Sequence, residues 1–315
     1  EAFKAAEENP ILIDKFIDNA MEIDVDAISD GKNVFVAGIM QHIEEAGIHS
    51  GDSACCLPPI SIKKNLITEI EIQTKKLALA LSVKGLMNIQ FAIKNDEIFV
   101  IEVNPRASRT VPFVSKAKGI PLAKIASRVM AGEKLSKFNL RSKTKKMFAV
   151  KEAVFPFNKF PKSDVLLGPE MKSTGEVMGF DNDFGMAFAK SQIAASNSLP
   201  IKGLAFISLK NSHKKEGVDL ARKLLKLNFT LCGTSGTADF INMHGMKCKK
   251  INKVSGGSPH IVDVLNSKKI ALVINTGGGN SEQKLSDAMA LRRATLVNKV
   301  PYCTNMSTAY VCLEG

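Results

Sequence analysis

The stretch that decides the fold of the first half of this chain is Phe99-Val-Ile-Glu102-Val-Asn104-Pro105-Arg106-Ala-Ser-Arg109-Thr-Val-Pro112. The run from Ile98 to Val103 is mostly apolar and predicts a strand, which Pro105 ends because proline has no backbone N–H to donate. The strand end presents one carboxylate, one amide and two guanidinium groups to a loop. Carboxylate and amide oxygens suit Mg²⁺ held between protein and phosphates, and arginines suit the charge of a transferring phosphoryl group. The stretch predicts a nucleotide-dependent ligase or kinase.

A second strand precedes this one, and the short turn between them predicts a hairpin. If Lys94 pairs with Ile98 across a three-residue loop, Gln90 sits directly opposite Glu102. Side chains alternate along a strand, so Asn104 shares the face of Glu102. Three oxygen ligands then converge on one face, whereas a slip of one residue would aim Gln90 away from Glu102.

The composition favours small anionic ligands over nucleic acid. The net charge is +12 at pH 7, while Trp is absent and only two Tyr are present. The basic residues are scattered in pairs and short runs, and no nucleic-acid-binding motif accompanies them. We therefore expect sites for small anions and no nucleic-acid partner.

The cysteines and the apolar runs bear on where the protein works. The six cysteines have no metal-ligand spacing and lie mostly among apolar neighbours, which predicts reduced thiols in a cytoplasmic protein. No apolar run has the length of a transmembrane helix, so we expect no membrane association. The sequence begins at Glu1 without a methionine, so a targeting segment would not be visible in it.

Hydrophobic periodicity divides the chain into two parts within an α/β fold class. The first part is predicted as strands at 11–17, 21–28 and 33–40, a loop at 41–59, helices at 65–84 and 115–133, the hairpin, and mixed strands and loops at 147–196. This is an α+β arrangement. After Pro200, short apolar strands alternate with helices, which predicts a small parallel sheet with ligands at the C-terminal strand ends. Ser196 to Pro200 is the predicted boundary.

Three motifs together carry a family resemblance. They are Gln90, the segment Glu102-Val-Asn104-Pro-Arg106, and the loop His42-Ile-Glu-Glu-Ala-Gly-Ile-His49-Ser50-Gly-Asp52-Ser53. In these motifs the chain resembles the C-terminal part of the carbamoyl phosphate synthetase large chain, and the likeness runs nearly end to end. It implies that residues 1–196 are the later portion of a second ATP-grasp unit. Residues 197–315 would be a methylglyoxal-synthase-like allosteric domain.

The resemblance implies MgATP-dependent phosphorylation of carbamate to carbamoyl phosphate by an ATP-grasp ligase of the glutamine-hydrolysing type. It assigns magnesium, or manganese, to Gln90, Glu102 and Asn104. Arg106 and Arg109 would stabilise the phosphates and the developing charge. The nucleotide contacts that it implies are Lys15, Ile17, Glu22, Gly47, Ile48, His49 and Ser50, together with Gln90 and Glu102.

The resemblance also implies an effector site in the second part. Thr234-Ser-Gly-Thr237 lies between a predicted strand and a predicted helix, where hydroxyls and helix N-terminal amides bind phosphate; these threonines could instead only cap the helix. The implied effector positions are Ser208, Lys214, Thr234, Thr237, Lys253, Asn275 and Thr276. The glycine run at 277–279 predicts a turn and is weak evidence for phosphate binding. UMP is the favoured effector and IMP the second candidate.

The implied partners are a glutaminase small chain, ATP and carbamate, within a higher oligomer of the complete enzyme that serves pyrimidine or arginine biosynthesis. The upstream part of the ATP-grasp unit, with its glycine-rich phosphate loop, is not in this sequence, so residues 1–315 are expected to be inactive alone. Two alternatives stay open. One is another ATP-grasp ligase or a biotin-dependent carboxylase, and the other is an effector-binding module without catalysis. The continuation from Ala107 to Lys116 differs from that of the carboxylases.

Overall fold

The computed structural model describes residues 9–11, 13, 15–18, 20–141, 147–159, 165–277 and 282–315. Two sheets form in this part of the chain, one on each side of residues 196–200, which gives the mixed α/β fold that the sequence predicts. Of the predicted strand at 11–17, Leu12 and Asp14 lie outside the described residues and the others belong to no strand. Gly278 and Gly279 of the predicted glycine turn also lie outside them.

The first sheet has seven strands in the order β5-β4-β1-β2-β3-β6-β7, and every neighbouring pair is antiparallel. The strands are β1 (Met21–Asp30), β2 (Val34–His42), β3 (Cys55–Leu57), β4 (Lys84–Lys94), β5 (Glu97–Asn104), β6 (Phe148–Val154) and β7 (Gly175–Asp181). Strand β3 falls within the stretch predicted as a loop, so that prediction is wrong there. Three residues are too few to show the alternation by which a strand is recognised.

Helices cover both faces of this sheet. Helix α1 (Lys64–Ala80) packs on one face through Leu66, Ile70 and Ala78. On the other face lie α2 (Thr110–Lys118) and α3 (Leu122–Met130). The single helix predicted at 115–133 is therefore two helices, because Gly119 adopts the left-handed conformation at φ 66° and ends α2.

Helix α4 (Phe184–Ala194) lies within the stretch predicted as strands and loops, and the sequence missed it. Its residues Phe184, Ala187 and Phe188 are buried in one apolar cluster with Val150 of β6. Small and apolar residues occur all round this helix, so no periodic stripe distinguishes it.

The second sheet has five parallel strands in the order β10-β9-β8-β11-β12. The strands are β8 (Gly203–Ser208), β9 (Phe229–Gly233), β10 (Cys248–Lys250), β11 (Ile270–Asn275) and β12 (Tyr302–Cys303). The helices are α5 (Lys214–Lys226), α6 (Ser235–Met243), α7 (Ile261–Asn266), α8 (Glu282–Val297) and α9 (Met306–Glu314). This is the predicted strand–helix alternation, and buried apolar clusters lie on both faces of the sheet.

Two further features of the described residues concern the cysteines and the lengths of the helices. All six cysteines are free thiols. The sulfur atoms of Cys303 and Cys312 lie 3.5 Å apart. Among the described residues, no helix is long and apolar enough to cross a bilayer.

Candidate active site

A cleft of about 470 Å³ opens on the face of the first sheet that carries α2. Its floor is built by the alternation in β1. Glu22, Asp24 and Asp26 point to the cleft face, while Ile23 and Val25 enter the apolar cluster under α1. Strand β1 thus divides its side chains cleanly between a polar site and a core.

The hairpin of β4 and β5 brings the predicted metal ligands together, but through a different register. Lys94 pairs with Glu97 across a two-residue turn, so the predicted pairing of Lys94 with Ile98 is wrong. A bulge between the Phe91 and Gln90 pairings adds one residue to β5 and restores the alignment, so Gln90 lies opposite Glu102. The turn is one residue shorter than predicted and the bulge compensates for it.

The ligand set next to this pairing consists of hard oxygen atoms. Asn104 Nδ2 donates a 2.8 Å hydrogen bond to Glu102 Oε1, which leaves the Asn104 carbonyl oxygen and the second Glu102 carboxylate oxygen available. No group of three or more His, Cys, Asp or Glu side chains suited to a metal occurs in the described part of the chain. The side-chain oxygen atoms of Gln90, Glu102 and Asn104 are of the kind that could hold a hydrated magnesium ion whose remaining ligands come from phosphates.

Asp26 anchors the loop that carries the two arginines. It is completely buried and accepts hydrogen bonds from Ser108 Oγ at 2.7 Å, Thr110 Oγ1 at 2.6 Å and Asn88 Nδ2 at 3.0 Å. Burial raises the pKa of Asp26 to about 6, although these three hydrogen bonds oppose the increase. Because Ser108 lies between Arg106 and Arg109 in the chain, Asp26 holds their loop against the sheet.

A buried histidine stands between two carboxylates on the same floor. His42 Nε2 lies 3.0 Å from Asp24 Oδ2, and His42 Nδ1 lies 3.3 Å from Glu22 Oε2. Burial opposes the imidazolium, but the hydrogen bond to Asp24 and the nearby carboxylate of Glu22 raise the pKa of His42 to about 9. The histidine is a packed, charged partner of the carboxylates. In the described part of the chain, Asp24 Oδ1 has no hydrogen-bond partner.

The loop of residues 47–53 forms one wall of the cleft. Gly47 N donates to Glu22 Oε1 at 3.2 Å, and Gly51 N donates to His49 Nδ1 at 3.0 Å. Asp52 is buried and accepts hydrogen bonds from the backbone N–H groups of Lys172 and Ser173 at 2.8 and 2.9 Å. The wall is therefore tied both to β1 and to the segment before β7.

The structure brings most of the predicted nucleotide, metal and arginine positions into this single cleft. Those lining it are Glu22, Gly47, Ile48, His49, Ser50, Gln90, Glu102, Asn104, Arg106 and Arg109. Lys15 and Ile17 are not among its lining residues; Lys15 is exposed and Ile17 half-buried. Their segment lies close to the wall, because the intervening Phe16 ring is 3.1 Å from the position of a Cβ on Gly47.

Sequence reasoning missed five polar side chains that line the cleft: Asp24, Asn88, Ser108, Thr110 and Lys151. A signal for the first existed, since Glu22-Ile-Asp24-Val-Asp26 alternates carboxylates with apolar residues. Asn88 stands two positions before Gln90 and so shares its face. Lys151 gave no signal, because a lysine in a strand is ordinarily a solvent-facing residue.

A second cavity, of about 300 Å³, lies at the C-terminal edge of the parallel sheet. Six predicted effector positions line it, namely Ser208, Lys214, Thr234, Thr237, Lys253 and Asn275. Thr276 is not among the lining residues. Its N–H donates to Ser208 O at 3.0 Å and its hydroxyl accepts from Lys210 N at 3.3 Å, so Thr276 joins two strand ends.

Three hydroxyl groups meet in this cavity. Thr234 precedes α6, but its side chain makes no capping hydrogen bond. Its Oγ1 lies 3.3 Å from Ser208 Oγ and donates to Thr237 Oγ1 at 3.4 Å. Thr237 also accepts a hydrogen bond from Leu209 N at 3.0 Å. The hydroxyls, the start of α6 and the three lining lysines Lys210, Lys214 and Lys253 together suit an anion such as a phosphate.

Comparison with protein families gives two matches along the chain. Residues 1–138 match the model described as the carbamoyl-phosphate synthase L chain, ATP binding domain. Residues 216–304 match the MGS-like domain. The first match contains most of the residues that line the first cleft, and the second contains much of the lining of the second cavity.

Curated relatives match along the whole chain. The carbamoyl phosphate synthase large chain, C-terminal section, of Aquifex aeolicus is 50% identical over all of this chain and 62% of its own length. The carbamoyl phosphate synthase large chain of Methanobrevibacter smithii is 54% identical over all of this chain and 30% of its own length. A solved biotin carboxylase domain of a single-chain bacterial carboxylase covers 57% of this chain and 48% of its own, at 16% identity and a TM-score of 0.46.

This chain spans less than two thirds of the two curated relatives. It belongs to the carbamoyl phosphate synthase large chain family and corresponds to the C-terminal part of that large chain, with an ATP-binding ATP-grasp domain followed by an MGS-like regulatory domain.

Proposed function

We propose that the cleft of the first sheet binds MgATP and phosphorylates carbamate, giving carbamoyl phosphate and ADP. The observation that carries the proposal is the meeting of Gln90, Glu102 and Asn104 with Arg106 and Arg109 in one cleft. In this step a carbamate oxygen forms a bond to the γ-phosphorus, and the bond from that phosphorus to the β–γ bridging oxygen breaks. The electron pair leaves with ADP. The arginines offset the negative charge that spreads over the transferred group.

The magnesium or manganese ions of this reaction fit the oxygen atoms of Gln90, Glu102 and Asn104. When bound, such an ion neutralises phosphate charge and orients the γ-phosphoryl group. The protein contributes the fixed positions of these oxygens, which the β4–β5 pairing and the Asn104–Glu102 hydrogen bond provide. Mobile side chains would need to be ordered at each binding event, whereas these are ordered in advance.

The nucleotide contacts are proposed for the segment before β1 and the loop above it. Lys15, Ile17 and the backbone of residues 47–50 would hold the adenine and ribose, and Glu22 would accept ribose hydroxyls. Glu22 already accepts a hydrogen bond from Gly47 N, which joins the floor to the loop. His49 Nδ1 is engaged by Gly51 N, so we propose a backbone contact for His49 and no acid–base role.

The second cavity is proposed as the effector site, formed by Ser208, Lys214, Thr234, Thr237, Lys253 and Asn275, with Thr276 supporting it from behind. Its cations and hydroxyls suit a phosphate, and its size suits a nucleoside monophosphate. UMP is the first candidate and IMP the second. We place the boundary between catalytic and regulatory domains at residues 196 and 197, in the segment between α4 and β8.

In the complete enzyme, a glutaminase small chain would supply ammonia, which makes the synthase the glutamine-hydrolysing type. The six free thiols fit a reducing compartment such as the cytoplasm. A higher oligomer and service to pyrimidine or arginine biosynthesis are further parts of this proposal.

The test uses the complete large chain, because the relatives extend beyond the part present here. ATP formation from MgADP and carbamoyl phosphate is measured for the unchanged protein, Glu102→Gln and Glu97→Gln. Glu97 lies at the other end of β5 and is exposed, so its variant is a matched control. We expect ATP synthesis to persist in the control and to be lost in Glu102→Gln. Absence of ATP synthesis from the unchanged large chain would exclude the carbamate reaction.

A further inference from the structure

A buried lysine, Lys151, faces the active-site cleft. Lys151 of β6 is 1% exposed and lines the cleft. Its ammonium group donates a 3.1 Å hydrogen bond to Ser50 O. Among the described residues, no carboxylate lies within ion-pair distance of it. A buried ammonium group with one neutral acceptor retains a large desolvation penalty, which a bound anion would offset.

Burial shifts three titratable groups that interact with Lys151 toward their neutral forms. Cys55 is paired with Lys151 across the β3–β6 ladder, and burial raises the pKa of its thiol far above the physiological range, so it stays neutral. Burial likewise raises the pKa of Glu44 to about 7 and that of Glu152 to about 8. Glu152 points to the opposite face of β6, where Gln192 donates to it at 2.7 Å.

A second cation approaches the same part of the cleft wall. Arg109 Nη1 lies 2.9 Å from the position that a Cβ on Gly51 would occupy, and Lys151 donates to the carbonyl of Ser50, the preceding residue. Arg109 makes a contact with Met171 Sδ and, in the described part of the chain, has no ion-pair partner either. The two cations therefore both approach the backbone of Ser50 and Gly51.

The two cations and the proposed metal ligands approach the cleft from different sides. Gln90 and Glu102 come from β4 and β5, whereas Lys151 comes from β6, and β1, β2 and β3 lie between them. The β4–β5 side presents oxygen atoms that suit metal-bound phosphates. The other side presents the cations Lys151 and Arg109, which suit a second, smaller anion.

We propose that Lys151, with Arg109, binds the carbon-bound oxygen of the co-substrate, which is a carboxylate oxygen in the carbamate ion and the carbonyl oxygen in carbamoyl phosphate. This rests on the proposed function of the cleft. The ammonium group contacts the co-substrate directly and at the same time holds the Ser50 carbonyl. The contact with Ser50 O can be tested separately from the contact with the co-substrate, because the neutral amide of a glutamine at position 151 can also donate to Ser50 O.

The experiment uses the complete large chain with Lys151→Gln, Lys151→Met and Lys151→Arg, and with Lys190→Gln as a surface control. Lys190 is paired with Asp181 outside the cleft. The KM values for carbamoyl phosphate and for MgADP are measured in the ATP-forming direction. We expect Gln and Met to raise the KM for carbamoyl phosphate at least tenfold, while Arg and the control stay within threefold. The KM for MgADP should change less than twofold in Lys151→Gln.

A role confined to the Ser50 carbonyl gives a different pattern. Lys151→Gln would then keep the unchanged KM for carbamoyl phosphate, and this result would overturn the proposal. Calorimetric titration with carbamoyl phosphate tests binding at Lys151 independently of whether the protein catalyses the proposed phosphorylation. If the unchanged large chain forms no ATP but binds carbamoyl phosphate, and Lys151→Gln does not, the lysine site stands and the reaction fails. Equal binding by both proteins, or binding by neither, removes the lysine site.

Discussion

Thr110 donates a 2.6 Å hydrogen bond to Asp26 through two buried side chains that are 84 positions apart in the chain. It joins the first turn of α2 to the centre of the first sheet. Ser108, which also donates to Asp26, places the arginine loop in the same network. The geometry of that loop therefore depends on a carboxylate that was not predicted as a site residue.

Replacing Thr110 by Val should destabilise the protein because it removes this donor and leaves Asp26 Oδ2 buried without a partner. The expected loss is about 1–3 kcal/mol, which lowers the melting temperature by several degrees. Thr110→Ser keeps the hydroxyl and should lose much less. Thermal unfolding followed by circular dichroism gives the comparison. Equal losses in Val and Ser variants would mean that the methyl group matters and the hydrogen bond does not.

The charged state of His42 should make stability depend on pH. The pKa of His42 is about 9 in the folded protein, whereas a histidine without these partners has a pKa of 6.5. The folded state therefore binds more protons than the unfolded state between these two pH values. Its contribution, on the order of 1–3 kcal/mol, is complete below about pH 6.5 and is lost as the pH rises through 9. We expect the melting temperature of the unchanged protein to fall over this window.

His42→Gln is the variant that tests this cause. It should be less stable at pH 6 and should lose less stability between pH 6.5 and 9. Some dependence will remain, because Glu44 and Glu152, with pKa values raised to about 7 and 8 by burial, also favour the folded state at lower pH. A pH dependence as steep as that of the unchanged protein would assign the whole effect to those two carboxyl groups.

The left-handed backbone of the β4–β5 turn gives a prediction about stability. Asn95 and Asp96 have φ values of 51° and 65°, a two-residue turn in which Gly is favoured and β-branched residues are strained. Asp96→Val should cost about 1–2 kcal/mol. Asp96→Gly should equal or exceed the stability of the unchanged protein, since its ion pair with Lys63 is exposed and contributes little. Urea unfolding ranks the three proteins, and a Val variant as stable as the Gly variant would contradict the left-handed turn.

This hairpin also shows how far sequence reasoning extends. The alignment of Gln90 with Glu102 was predicted correctly from an incorrect pairing at the turn. The bulge that corrects it lies in Phe99-Val-Ile-Glu102, where consecutive apolar residues hide a break in alternation. The parallel sheet was easier to predict because each apolar strand is followed by a helix with a distinct period.

Two of the residues that sequence reasoning missed, Asp26 and Lys151, share a physical cause. Both are charged and buried, whereas charged residues are ordinarily expected at the solvent-exposed surface. Their burial depends on which strands are neighbours, such as β3 beside β6. The order of the strands in a sheet brings together residues that are far apart in the chain, so it cannot be predicted from a local sequence pattern.

The proposed effector cavity yields a prediction that distinguishes the lysines lining it from a lysine on the surface. Lys214→Met and Lys253→Met should each weaken UMP binding about tenfold or more, because both line the cavity and would offset phosphate charge. Lys215→Met is the matched control, since Lys215 follows Lys214 but is exposed. Calorimetry with UMP, IMP and inorganic phosphate measures each affinity. Equal weakening by all three variants would point to general charge attraction and away from a site.

The contact between α4 and α9 is tight enough to be tested with one methyl group. A Cβ on Gly185 would lie 2.2 Å from Glu314 O, a backbone atom at the end of α9, so Gly185→Ala must displace the helix end. We expect a loss of about 1–3 kcal/mol from this overpacking and faster hydrogen exchange in Met306–Glu314.

Gly175→Ala is the control for this prediction, because no atom lies within 4 Å of the Cβ position there. It should leave both stability and exchange unchanged within error. The apolar cluster that contains Val311 with Phe188 would lose its packing in the Gly185 variant alone. Equal exchange rates for α9 in both variants would mean that the end of α9 accommodates the methyl group without moving. The packing of α9 on α4 would then not be the contact that holds α9 in place.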